Sequence, residues 1–392
     1  MRVAIFTDND FGKVNGVTTT LKAVLQHTAD QASVRVYTAS DLGVDTESYY
    51  AAPSVGIGLP FYPDMRIYWP RLARLAKAVH ARGVDVVHLT TPGPVGLAGR
   101  RLAQRIGVPV VASYHTHLGD YARVLSGSTR AGNWLEAYVR WFYASSTAVL
   151  APSRACVGLL AARGYPRAAL RVWSRGVDAA RFAPAHASAE LRRRWKVDAR
   201  RPAILYAGRL SREKDLELFP GIQRLLHRAA IAHQFVFAGD GPMRAELSRQ
   251  MPDAVFLGSV PHRDVATAMA SSDVFLFPST TDTFGNVVLE AQASGLPTVV
   301  SDAGGPAEQI VDSETGYVCR AGDTRAFGEV LIGLLRNASL RQRMGLAARE
   351  WAEQSDWPRM LHPLIDAWRG ALRAPAPASG ALTFEPRRTL SH

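Results

Sequence analysis

Only two cysteines occur in 392 residues, Cys156 and Cys319, far apart and with neither metal-like nor redox spacing. A disulfide is therefore not expected, and a reducing cytoplasm is the expected setting. No apolar run approaches the roughly 18 residues that a membrane-spanning helix needs. The opening MRVAIFTDND has an apolar stretch too short for a secretory leader and meets Asp8 at once, so no leader is expected. Acidic residues are in short supply, 34 against 46 Lys and Arg, for a net charge of +12. The imbalance lies mainly in residues 1–178, where 20 Lys and Arg face 11 Asp and Glu, +9 of that total. Such an excess predicts attraction to something anionic. Nucleic acid is set aside because no zinc-finger, RNP or other recognition signature is present. An anionic membrane surface remains.

What is present reads as globular, with 47% hydrophobic and 20% charged residues. The length suits two domains rather than one core. Short apolar runs that end in polar loops, as buried parallel strands do, recur at 3–7, 34–38, 85–90, 108–114, 147–151 and 170–173. Helical patterns fill most gaps, at 70–82, 95–106 and 134–145. The alternation restarts at Ala203 after an Arg-rich segment, with further strands at 235–238, 255–257, 274–277, 298–300 and 317–318. The expected architecture is α/β, two doubly wound Rossmann-like domains over 1–178 and 179–356. Domains facing each other would set the carboxyl ends of their strands, where ligands usually bind, across one cleft. Residues 373–392 read as a disordered tail.

The densest chemistry lies in TTDTFGNVVLEAQASGLPTVVSDAGGPAE, residues 280–308. Asp282 and Glu290 are separated by seven residues around Phe284-Gly285-Asn286-Val287, which opens an apolar helix. A second glycine turn, Gly304-Gly305, follows. Amides at a helix start can hold a diphosphate, while carboxylates hold the hydroxyls of a sugar and a ribose. The same residues also fit a plain helix start, with Asp282 as its N-cap. Elsewhere Arg209 and Lys214 follow the strand ending at Ala207, a pair of cations suited to a diphosphate leaving group. Gly241 sits in a tight Gly-Asp-Gly-Pro turn, and Gly16 in a loop that backbone or ligand could approach closely. His115 and His117 close another strand. They are too few for a metal site, so a neutral His115 bonded to a sugar is favoured.

In order along the chain, NGV (15–17), SYHTH (113–117), WSRGVD (173–178), GRLSREKDLELF (208–219), GDGP (239–242) and the 278–308 stretch resemble the retaining family-4 glycosyltransferases of GT-B fold. The likeness covers about residues 1–365. It implies a last helix, about 357–372, crossing back to the N-terminal, acceptor-binding domain, and a C-terminal domain holding the nucleotide sugar. It implies Gly16 and Gly241 near the donor, His115 near the transferred sugar, and Arg209 and Lys214 on the leaving phosphates. Asp282 and the amides from Phe284 through Gly285, Asn286 and Val287 would serve sugar and phosphate, and Glu290 the ribose. Such enzymes usually carry Glu where Asp282 stands, so the sugar contact is shorter by about one C–C bond. No cofactor and no catalytic metal are implied beyond the UDP- or GDP-sugar substrate.

HLTTPGPVG (88–96) and VASYHTHLGDYAR (111–123) are similar to a lipid-directed branch, the sulfoquinovosyl- and mannosyl-transferases that use diacylglycerol-type acceptors. A lipid acceptor, and a peripheral place on the inner face of the cell membrane, are the corresponding expectations. Tyr68 and Trp69 ahead of a helix with Arg71, Arg74, Lys77 and Arg82 suit an interfacial element. Trp134, Tyr138 and Trp141 share a helical face that reads as core packing. Three alternatives stand beside this reading: a soluble family-4 enzyme making polysaccharide or small glycosides, a GT-B sugar-nucleotide epimerase, and a binding protein without turnover.

Overall fold

The computed structural model describes residues 1–12, 15–59 and 62–374, the side chains of 59 and 62–65 excepted. The expected tail lies almost wholly outside these residues. The chain forms two compact units, Met1–Ser174 with the segment from Met360, and Arg175–Arg359.

The first unit contains β1 (Arg2–Phe6), β2 (Ser33–Ser40), β3 (Val44–Asp45), β4 (Tyr49–Pro53), β5 (Gly56–Leu59), β6 (Tyr62–Tyr68), β7 (Val86–Leu89), β8 (Val110–Ser113), β9 (Ala148–Ala151) and β10 (Leu170–Val172). Eight of them form a sheet in the order β10-β9-β8-β7-β1-β2-β4-β3, parallel except for the β3–β4 pair. β5 and β6 make a separate antiparallel hairpin. The central strands are buried along their length, which explains why they read as unbroken apolar runs. From β1 the chain winds outward to β2 and β4, then reverses and builds β7 through β10 on the other side. The reversal places a switch point between β1 and β7.

The second unit carries β11 (Ala203–Ala207), β12 (Gln234–Ala238), β13 (Val255–Gly258), β14 (Val274–Phe277), β15 (Thr298–Ser301) and β16 (Gly316–Cys319). Its sheet is wholly parallel, in the order β13-β12-β11-β14-β15-β16, so its switch point lies between β11 and β14. Phe219, Phe235, Phe237, Phe275 and Phe277 pack with Tyr206 in the core.

Some details differ from the sequence reading. Arg175–Asp178, counted there with the first domain, belong to the second unit, where Val177 N donates to Ser355 O (2.9 Å). The last helical stretch is two pieces, Trp357–Met360 and His362–Arg373, and the second packs in the first unit, with Trp368 fully buried. The interfacial element is shorter than expected. Tyr68 ends β6, is 6% exposed and donates its hydroxyl to Asp41 (3.2 Å), so it has no surface to offer a lipid. The helix spans only Leu72–His80, leaving Arg71 at its cap and Arg82 beyond it, while Trp69 is 61% exposed. The expected core role of Trp134 fails, because it is 55% exposed and stacks on Tyr138 at 6.0 Å along the helix Thr129–Tyr143. Its helix starts five residues earlier than expected, capped by Ser128. A helical face aligns residues but does not say whether a neighbouring element covers the whole of it.

Candidate functional site

In the second unit the loops after β11 and β14 meet across the switch point, the place where open α/β sheets bind ligands. Lys214 Nζ lies 2.8 Å from Asp282 Oδ2, and Ser279 Oγ donates to the same oxygen at 2.5 Å. Both members of this ion pair are largely shielded, with 12% and 21% of their side chains exposed. One residue on, the Asp215 carboxylate accepts from the Thr280 amide and hydroxyl, each at 2.8 Å. Burial pushes the Asp215 carboxyl above its ordinary range, while the two Thr280 bonds oppose the shift. Thr281 Oγ1 donates to Glu213 O (2.7 Å), so three successive residues of one loop are tied to the other. Asp215 itself takes the left-handed conformation, φ +55°, which Asp tolerates better than most residues.

The β12 loop is fitted to the β11 loop backbone to backbone. Leu210 N donates to Asp240 O and Met243 N to Leu210 O, both at 2.9 Å. Gly241 has φ +157°, and a Cβ there would sit far inside van der Waals contact with Leu210 O. Only glycine permits that approach. Arg209 stands at the head of this assembly, half-buried, and its carbonyl accepts from the Tyr206 hydroxyl (3.0 Å).

Asp282 is not the cap of the following helix. That helix, Asn286–Ala293, begins at Gly285, whose φ of +82° turns the chain and which has no side chain of its own to cap it. The first amides, at Asn286 and Val287, therefore stand at an N-terminus whose cap residue is a glycine. Phe284 is buried beneath the turn, and Gln309 holds the carbonyl oxygens of Phe284 and Gly285. Gly305 N donates to Asp282 O at 2.9 Å, which brings the second glycine turn onto the same segment. Glu290, two turns from Asp282 by sequence, has a different neighbourhood. It is buried, and its Oε1 lies 3.1 Å from Nε2 of His262, the first residue of the helix His262–Ala270.

Gly16 and His115 belong to the first unit. Gly16 is the first residue of the helix Gly16–His27. Asn15 caps that helix, accepting from the Val17 and Thr18 amides at 3.0 Å each, with Thr18 returning the bond. His115 follows β8, its Nε2 2.7 Å from Ser113 Oγ. His117 has another partner, Tyr114 Oη at 3.3 Å, so the two histidines do not converge. Among the described residues no group of three or more His, Cys, Asp or Glu is placed to share a metal ion.

Two features were missed by sequence reasoning. Asp8, at the β1–β7 switch point, is half-buried and accepts from Thr91 Oγ1 (2.6 Å) and from the amides of Gly93 (3.0 Å), Val95 (2.7 Å) and Gly96 (3.3 Å). It caps the helix Pro94–Ile106 from about 85 residues away, and nothing local marks it. His262 is the other; its only sequence signal is a position just after Pro261 at a helix start.

The arrangement offers cations and a helix start with glycine at its cap around one switch point, with carboxylates on either side, which suits a polyanion carrying hydroxyl groups. The family described as "Glycosyl transferases group 1" matches residues 187–351, and "Glycosyltransferase Family 4" matches residues 14–181. The chain is 33% identical over 384 residues to a GDP-mannose-dependent alpha-mannosyltransferase of Mycobacterium tuberculosis, covering 93% of this chain and 95% of that one. It is 31% identical to sulfoquinovosyl transferase SQD2 of Arabidopsis thaliana over 91% of this chain and 71% of that protein. Alpha-monoglucosyldiacylglycerol synthase of Streptococcus pneumoniae is 26% identical over 76% of this chain and 70% of its own length. Among solved structures, sucrose-phosphate synthase of Thermosynechococcus elongatus shares the fold, with a TM-score of 0.77, 19% identity and coverage of 95% and 99%.

Proposed function

Since this chain belongs to the glycosyltransferases of group 1 and family 4, enzymes of GT-B fold, we propose that it moves a sugar from a nucleoside-diphosphate donor to a lipid hydroxyl with retention of the α configuration. GDP-mannose is the donor assigned first, following the mannosyltransferase at 33% identity, with UDP-sugars second. The lipid is of diacylglycerol type, as in the name of the streptococcal relative. The observation that carries the reading is the Lys214–Asp282 pair at the β11–β14 switch point, beside the glycine-capped start of Asn286–Ala293.

Breaking the anomeric C–O bond leaves an oxocarbenium-like sugar and a diphosphate that gains negative charge. Arg209, Lys214 and the amides of Asn286 and Val287 answer that charge as it develops, which lowers the barrier more than it strengthens donor binding. In this reading the incoming diphosphate takes over Lys214 from Asp282, and Asp282 turns to the sugar hydroxyls. Glu290 exchanges His262 for the ribose, while Gly16 and Gly241 border the donor. His115 meets the transferred sugar. With no enzyme nucleophile assigned, a leaving phosphate oxygen takes the acceptor proton on the same face of the sugar, which retains its configuration.

No helix among the described residues is long and apolar enough to cross a membrane. Contact with lipid would then be peripheral, drawn by the basic N-terminal half and by Trp69 beside Leu72–His80. The test is a donor screen of purified protein with radiolabelled GDP- and UDP-sugars and diacylglycerol-containing liposomes. Label entering the organic phase establishes the lipid transferase and its donor. Label that leaves the donor only when a soluble acceptor is added overturns the lipid assignment. Co-sedimentation indifferent to anionic lipid removes the membrane surface from the account.

A further inference from the structure

A buried chain of hydrogen bonds in the first unit runs from the C-terminal helix to His115. Trp368 Nε1 lies 3.0 Å from His88 Nδ1, His88 Nε2 lies 3.0 Å from Ser113 Oγ, and Ser113 Oγ lies 2.7 Å from His115 Nε2. Trp368, His88 and Ser113 are all 0–1% exposed, which shuts them off from bulk water. His88 comes from β7 and Ser113 from the end of β8, and Trp368 is 280 residues from His88 in sequence. The rings are fixed as well as bonded. His88 meets Trp368 and Trp173 edge-on, at 5.9 and 6.3 Å, and His115 meets Trp173 at 6.4 Å.

The order of protons follows from the heavy atoms. An indole nitrogen only donates. His88 Nδ1 must therefore accept, and a stable imidazole keeps its proton on the other nitrogen, Nε2. His88 Nε2–H then donates to Ser113 Oγ. The Ser113 hydroxyl proton is buried and cannot go back to His88, so it goes to the other neighbour of Oγ, His115 Nε2. That nitrogen is an acceptor, which leaves His115 neutral with its proton on Nδ1. Protonating His115 on Nε2 would bring two hydrogens to face each other across 2.7 Å or orphan the Ser113 proton, at a cost typical of an unmet buried polar group.

We propose that Trp368, His88 and Ser113 are positioning residues that lock His115 as the neutral Nδ1–H tautomer, with the C-terminal helix setting the direction of the whole chain. His115 then carries its ring proton on Nδ1 and no positive charge. The catalytic consequence rests on the function proposed above; the tautomer does not. For sugar transfer, the lock keeps an added cation away from an anomeric carbon that becomes positive in the transition state.

The decisive measurement is a proton–nitrogen correlation spectrum of the whole protein labelled with ¹⁵N-histidine, with His115 assigned through the signals missing from His115→Gln. The wild type should show His115 at neutral pH as a single neutral ring protonated on Nδ1. Trp368→Phe removes the donor that sets the direction, and should give His115 a mixture of tautomers with turnover reduced roughly three- to tenfold, the scale of one net hydrogen bond. His88→Gln supplies an oxygen to accept from Trp368 and an N–H to donate to Ser113, so it should preserve the wild-type pattern at His115, whereas His88→Leu should not. A wild-type His115 that is protonated on Nε2, or doubly protonated at neutral pH, overturns the proposal even if the variants fail to fold. So does an unchanged His115 pattern in folded Trp368→Phe. The locked tautomer in a protein that transfers no sugar would sink the functional reading alone.

Discussion

Lys214 Nζ and Asp282 Oδ2 lie 2.8 Å apart, and this pair joins the loops after β11 and β14 where the strand order of the second unit reverses. Without donor, the two residues assigned to opposite tasks neutralise each other. The pair holds the Lys214 cation largely shielded from solvent, and in the proposed reaction a diphosphate would replace Asp282 as its partner.

Arg209→Ala and Lys214→Ala should each lower kcat by roughly 10²–10³, the usual loss for one donor to a developing charge. Steady-state kinetics with the donor found in the screen decides this. Near-normal turnover in both variants would sink the assignment of the leaving-group site.

Glu290→Ala should raise the donor KM more than it lowers kcat, because a ribose contact is made equally before and during bond breaking. The variant also frees His262 from its 3.1 Å contact, so His262→Ala in the intact protein serves as the control and should leave KM much closer to wild type. A fall in kcat with KM unchanged in Glu290→Ala would place that carboxylate at the reacting sugar instead.

Gly241→Ala should cost donor affinity and stability together. The new Cβ collides with Leu210 O at φ +157°, so the β11 and β12 loops must separate. Calorimetry and donor titration should move in step; an unchanged melting temperature with normal affinity would contradict the close approach.

Asp8→Asn should destabilise the first unit by about 1–3 kcal/mol, since an amide oxygen replaces a carboxylate that serves Thr91 and three backbone amides. The pH dependence has a definite sign. Burial raises the folded Asp8 carboxyl above its ordinary range, against the opposing pull of its hydrogen bonds. A raised folded value contributes stability below the unfolded pKa of about 3.9 and loses it as pH rises through the folded value. The stability advantage of wild type over Asp8→Asn should therefore shrink as pH rises over that window, which melting curves of the two proteins at stepped pH will show. A growing advantage would mean that the hydrogen bonds outweigh burial.

Both cysteines should resist thiol reagents in the native state. Each is buried, and burial pushes the Cys319 thiol up to about 12. Thiolate at pH 8 is then about one part in 10⁴. Labelling should become stoichiometric only on unfolding in denaturant; rapid labelling of Cys319 in the native protein would show that the strand β16 opens.

The alternation of apolar runs with helical patterns was legible because parallel strands buried on both faces must be apolar throughout, and crossovers must be helical. Lys214 and Asp282 were legible as strand-end residues because each lies just beyond a strand, and the structure brings that pair together. Asp282 was ambiguous in sequence, since the same residue fits a cap and a ligand contact; three-dimensional structure gives it Lys214 and Ser279 and gives the cap position to Gly285. Trp134 misled because helical spacing aligned it with Tyr138 and Trp141 while its own end of the helix stays open to solvent.

The sequence by itself determined the doubly wound class, the strand-end loops and the residue types they carry. These follow from periodicity and local chemistry, which act over a few residues. Tertiary structure alone decided the partnerships: Asp8 with the start of Pro94–Ile106, His262 with Glu290, and Trp368 with His88 across 280 positions. A hydrogen bond requires two groups within about 3 Å at the right angle, and the winding of the sheets brings together groups that no local pattern links.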